Sequence, residues 1–98
     1  MKPISLERYG PIISDKVVGE AIYSEIKDVL KTDNISIDLG DIKSMATFNA
    51  KQIFGRLYVE LGSAAFFDKI ELVNVSQDLK LIIKMGIQSA LDEETAST

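Results

Sequence analysis

Asp38 and Asp41 stand close together in Ile35-Ser36-Ile37-Asp38-Leu39-Gly40-Asp41. The alternating start of this run reads as a β-strand, and open α/β sheets gather ligands at the carboxyl ends of their strands. Two carboxylates at such a tip can hold Mg²⁺ or accept a phosphoryl group. A phosphoryl-accepting centre also needs a further acidic pair and a lysine at a later strand end. Asn74-Val75-Ser76 ends the next strand and contains no lysine. The simpler reading puts Asp38 on a polar sheet face and Asp41 in a turn. Glu20, Glu25 and Asp28 share one helical stretch and read as a solvated face rather than as acid–base groups.

Composition excludes most other chemistry. The 98 residues include no cysteine and no histidine. Disulfides, thiolate nucleophiles, the usual zinc sites and nucleophile–histidine pairs are thereby removed. There is no G-x-G-x-x-G, and no glycine precedes a Lys-Ser or Lys-Thr pair. No cofactor and no catalysed reaction are expected. Eleven Lys and Arg face fifteen Asp and Glu, a net charge of −4, with the basic residues scattered singly. Nucleic acid and anionic membrane surfaces both select for basic stripes, so neither is an expected partner. No run reaches the roughly 20 apolar residues of a membrane span, and Met1 to Arg8 lacks a signal-peptide core. A cytoplasmic location is the expectation.

The segment Asp41-Ile42-Lys43-Ser44-Met45-Ala46-Thr47-Phe48-Asn49 joins a strand end to a helix start. Free N–H groups at a helix N-terminus favour anions. Thr47 reads first as the helix cap. Alternatively, Thr47 or Ser44 accepts a phosphate, adding nearly two negative charges and one or more charge-assisted hydrogen bonds. Further along, Phe66 and Phe67 are adjacent, so one packs inward and the other is available as an anchor at a protein interface.

Three helices and three strands position these groups. Val18, Ala21, Ile22, Ile26, Val29 and Leu30 form one stripe over about Asp15 to Lys31, with Ser14 as the expected cap. Ala50, Ile53, Phe54, Leu57, Tyr58 and Leu61 do the same over about Phe48 to Leu61, and Gly62 suits the C-terminus. Leu79, Ile82, Ile83, Gly86, Ile87, Ala90 and Leu91 form the third stripe, over about Gln77 to Leu91, capped by Ser76. Strand-like runs are Ile4 to Glu7, Ile35 to Leu39 and Ile70 to Val75. Helix-length crossovers make the sheet mainly parallel and right-handed in its connections. Ser36, Asp38, Glu71 and Asn74 interrupt the apolar runs, so the α/β fold should carry its helices predominantly on one face. The opposite, polar face would be solvated or used for self-association into a homo-oligomer. Gly19, Gly55 and Gly86 each weaken a helix interior and point to close approach of neighbouring elements. One domain over residues 1–91 is expected, followed by a flexible acidic tail over 92–98.

The runs Ile35-Ser36-Ile37-Asp38-Leu39, Ser44-Met45-Ala46-Thr47-Phe48-Asn49, Ile53-Phe54-Gly55-Arg56-Leu57-Tyr58 and Ile70-Glu71-Leu72-Val73-Asn74-Val75 together resemble a bacterial STAS-like domain of unknown function. The likeness spans about residues 12–91 and lies in order and spacing. Such domains are similar to anti-sigma factor antagonists. The resemblance implies a small α/β fold and a regulatory, non-enzymatic module that binds a histidine-kinase-like ATPase or another anti-sigma-type partner. Those antagonists place Asp-Ser-Ser-Gly at the start of the second helix. Ala46, Thr47, Phe48 and Asn49 stand there in this chain, and Thr47 alone keeps a hydroxyl. The expected partner surface is the turn with Met45, Phe48 and Asn49, continued by Lys51, Gln52 and Arg56 on the outer helix face.

Overall fold

Ile35 and Ile37 are buried while Ser36 and Asp38 between and after them are half-buried, so this strand shows two unlike faces. It is the centre of the fold. The computed structural model describes residues 1–96. The chain order is β1 (Lys2–Ser5), a 3₁₀ turn (Glu7–Tyr9), β2 (Ile12–Ile13), α1 (Lys16–Leu30), β3 (Ile35–Asp38) and β4 (Ser44–Met45). There follow α2 (Thr47–Ala50), a π-helical segment (Lys51–Gly55), α3 (Arg56–Leu61), α4 (Ser63–Lys69), β5 (Ile70–Val73) and α5 (Gln77–Ala96).

β1, β3 and β5 form a parallel sheet in that spatial order, with Ile4 beside Ile37 and Ile37 beside Leu72. Consecutive strands are therefore neighbours, and winding in one direction puts the helices on one side. Ile4, Ile35, Ile37, Ile70 and Leu72 look into the helices and join the core of Ile22, Ile26, Ile53, Phe54, Leu57 and Leu79. Pro3, Ser5, Ser36, Asp38, Glu71 and Val73 share the other face, and none of them is buried. A second, two-stranded parallel pair joins β2 to β4. Two residues per strand are too short to betray a period, so the sequence pattern does not reveal this pair.

The helix starts differ from expectation for local reasons. Asp15, not Ser14, caps α1: its carboxylate accepts from the N–H of Val17 (2.6 Å) and Val18 (3.3 Å). Ala46, not Thr47, is the cap position of α2, and no side chain bonds there. The Ala46 N–H donates to Ile13 C=O (2.8 Å), which extends the β2–β4 ladder up to the first helical residue. Thr47 is thus already on the helix surface. Ser76 does cap α5, accepting from Leu79 N–H at 3.2 Å.

Residues 47–61 run as one helix whose middle winds as a π-helix. Gly62 ends it in the left-handed region (φ 85°), as the glycine predicts. The connection beyond is itself a helix, α4, which buries Phe66 against Tyr58 (ring centroids 5.3 Å apart). α5 continues to Ala96, past the expected end at Leu91. Residues 92–96 continue this helix: Gln88 donates to Asp92 one turn on (2.9 Å), and Glu93 pairs with Lys51. Residues 97 and 98 lie outside the described residues.

Candidate functional site

β4 lies beside β2, and this pairing decides which side chains of the 44–49 turn reach solvent. Ser44 pairs with Ile12 and is exposed, so Met45 next to it faces the core and is 2% exposed. Thr47 and Phe48 emerge at the start of the helix, with Phe48 46% exposed. Asn49 then turns back inward and is 0% exposed. Met45 and Asn49, both expected to touch a partner, are thus internal residues. The cause is the β2 ladder, a contact between distant parts of the chain that sets the phase of the whole segment.

Asn49 instead joins the second helix to the first. Its Nδ2 donates to Asp15 C=O (3.0 Å) and to Gln52 Oε1 (3.1 Å). Gln52 Nε2 donates to Lys16 C=O (2.9 Å). Asn49 Oδ1 is buried without a hydrogen-bond partner. Gly19 makes this close approach feasible: a Cβ there would stand 2.6 Å from Asn49 Nδ2 and overlap the Gln52 amide.

Beyond this clamp lies a groove of about 560 Å³ along the outer face of the 47–61 helix. Phe48, Val59 and Ala90 supply its apolar surface, and Lys51, Gln52 and Arg56 line it as well. Four expected partner residues (Phe48, Lys51, Gln52 and Arg56) therefore share one concave surface. Val59 and Ala90 were not anticipated. Val59 follows the π-helical segment, which shifts the phase of that helix face, and Ala90 reaches the groove from α5, where its place in the apolar stripe reads as core.

Two cations of the groove, Arg56 and Lys51, are internally paired. Arg56 lies over the Tyr23 ring at 3.8 Å and donates to Glu20 at 2.9 and 3.3 Å. Tyr23 hydroxyl donates to Glu60, and Lys51 pairs with Glu93. Burial, followed by the bond to Glu60, pushes the Tyr23 hydroxyl up to about 12. Such pairs fix the side chains while leaving the groove close to neutral.

The alternative acidic site takes a structural form. Asp38 Oδ1 accepts from Gly40 N–H (2.8 Å) and from Asn74 Nδ2 (3.1 Å). These bonds hold the carboxyl below its ordinary range, the Gly40 N–H contributing most. Asn74 adopts the left-handed conformation (φ 56°) that places its amide there. Asp41 is exposed in the following turn. Among the described residues, no three His, Cys, Asp or Glu side chains are grouped as a metal centre requires. No described helix is long and apolar enough to cross a membrane.

A family model described as a STAS-like domain of unknown function (DUF4325) matches residues 18–80. This span runs from the first turn of α1 to the first turn of α5. No curated protein and no solved structure matches the chain.

Proposed function

The chain belongs to the family of STAS-like domains of unknown function, and we propose that it is a regulatory module that binds a protein partner through the groove beside the 44–49 turn. The observation that carries this reading is Phe48. A large apolar ring stays 46% exposed at the mouth of a concave surface, where interface anchors concentrate. Ile12, on the strand beside Ser44, and Val17, in the first turn of α1, are also exposed. Rigid pairs such as Arg56 with Glu20 give that surface a polar rim already in place before binding.

The partner class follows from the likeness to anti-sigma factor antagonists: a histidine-kinase-like ATPase or another anti-sigma-type protein. No side chain of this surface needs to react, so the module works by occupancy. Calorimetric titration against histidine-kinase-like ATPases tests the reading. Phe48→Ser and Lys51→Glu should each weaken binding about tenfold or more. An affinity unchanged by both substitutions overturns the groove as the site.

A second reading concerns Thr47. Its exposed hydroxyl stands at the first helical position and caps nothing. A phosphate there would meet the positive end of the helix dipole and place two negative charges next to Phe48. Ser44 is likewise exposed, on β4. Incubation with a partner ATPase and ATP, followed by mass spectrometry, tests both. A phosphoryl group on Thr47 supports the switch, and an unmodified chain removes it.

A further inference from the structure

The two edges of the main sheet are not alike. Lys2 N–H donates to Asn34 C=O (2.8 Å) and Leu6 N–H to Asp38 C=O (3.3 Å), so Lys2, Ile4 and Leu6 turn their backbone groups toward β3. Pro3 and Ser5 then face outward along β1. Proline has no N–H to offer, and with Lys2 beside it this edge carries two of the devices that discourage further pairing.

β5 carries no proline, and its charged residue, Glu71, is not the one whose backbone groups face outward. Leu39 N–H donates to Val73 C=O (3.0 Å), so Val73 and, two residues earlier, Glu71 turn toward β3. Leu72 lies between them, and its N–H and C=O point out of the sheet. Ile70 N–H is taken by Phe66 C=O, which leaves the Ile70 C=O as a further outward acceptor. One turn before the strand, Phe67 is 69% exposed, among the largest exposures of an apolar side chain in the described structure.

We infer that β5 pairs with β5 of a second copy of this chain, antiparallel and centred on Leu72. A two-fold axis through the sheet keeps the helices of both copies on one side, so facing residues must belong to the same face. Only registers centred on a residue satisfy this. Centring on Glu71 would set Glu71 against its own copy, and like charges directly opposite destabilise a ladder. Centring on Leu72 sets Leu72 against Leu72 on the helix side and Glu71 against Val73 on the open side. In that register the two Leu72 residues exchange both of their outward hydrogen bonds. The result is a six-stranded sheet ending in two proline-blunted β1 edges, so association stops at two copies. A strand of four residues gives a small interface, and the dimer is correspondingly concentration-dependent.

The interaction is separate from the groove, and its test does not involve the groove's partner. Sedimentation equilibrium over a wide concentration range should show the mass rising from 10.8 kDa toward twice that value. Leu72→Pro removes the outward N–H without touching a bond to β3 and should hold the chain at the monomer mass, while Phe67→Ser should weaken the dimer. Because a proline can disturb folding, amide hydrogen exchange on the unaltered chain is the second measurement. The Leu72 amide should become protected as concentration rises, while the Glu71 and Val73 amides are protected throughout. A monomer at every concentration overturns the proposal. So does a dimer whose Leu72 amide exchanges equally fast at all concentrations, because that dimer uses another face.

Discussion

Gly55 and Gly86 meet where the 47–61 helix crosses α5. A Cβ on Gly55 would stand 2.7 Å from the Gly86 carbonyl oxygen, and a Cβ on Gly86 would stand 2.6 Å from the Lys51 amide nitrogen. Both obstacles are backbone atoms, which cannot swing aside. Alanine in place of glycine favours a helix by about 1 kcal/mol. Overpacking a tight contact costs about 1–3 kcal/mol. The clash should win at Gly86, because the crossing holds the π-helical segment in place. Gly86→Ala is expected to lower stability by about 1–2 kcal/mol, read as a lower urea midpoint at unchanged slope. A midpoint equal to or above that of the parent would show that the two helices can separate freely.

Asn49 links the start of the second helix to the start of the first, through Asp15 C=O. Asn49→Ala removes that bond and the one to Gln52, but it also removes an unpartnered buried oxygen. The two effects oppose each other, and a modest loss of about 1 kcal/mol is expected. Asn49→Asp should cost more, because a buried carboxylate would face a carbonyl oxygen. Thermal unfolding of the two variants at neutral pH orders them. A more stable aspartate variant would contradict the assigned direction of the Asn49 amide.

The period of the apolar residues makes the main elements legible in the sequence. Ile35 and Ile37 alternating with Ser36 and Asp38 imply a strand with one covered face, and that is how β3 sits. Leu79, Ile82 and Ile83 likewise mark the face of α5. Legibility fails where an element is too short for a period, as in β2, β4 and the seven residues of α4. It fails again where phase depends on a distant strand. Met45 and Asn49 look like turn residues in sequence, but pairing of Ser44 with Ile12 rotates both inward. Phe48, Lys51, Gln52 and Arg56, expected from the resemblance together with the outer helix face, do share one surface.

Glu25 is held on the first helix by Tyr9, whose hydroxyl donates to it at 2.7 Å, and by Arg8. Burial pushes its carboxyl up, but the Tyr9 and Arg8 hydrogen bonds together outweigh that and leave it below its ordinary value of 4.5. A carboxyl lowered on folding contributes stability above its unfolded pKa and loses it as pH falls through the folded one. The contribution should therefore be complete at neutral pH and decline below about pH 4.5. Glu25→Gln should remove about 0.2–1 kcal/mol at neutral pH and flatten this part of the acid limb. Equal slopes for parent and variant below pH 4.5 would show that the cluster is not formed in solution.

Tyr23 contributes to the alkaline limb in the opposite sense. Burial first, then its bond to Glu60, raises the hydroxyl from 10.0 to about 12. The unfolded chain loses this proton near pH 10.0, well before the folded chain does. Stability from Tyr23 is thus intact below pH 10.0 and is lost as pH climbs toward about 12. The loss should amount to about 1–2 kcal/mol, below the full linkage value because Glu60 is partly exposed and screened. Tyr23→Phe keeps the ring under Arg56 and removes only the hydroxyl, so packing against the guanidinium survives. The variant should lose the highest step of the tyrosine absorbance titration and unfold with a shallower pH dependence between 10 and 12. If parent and variant titrate alike up to pH 12, the Tyr23–Glu60 bond does not persist, and the wall it gives the groove is not rigid.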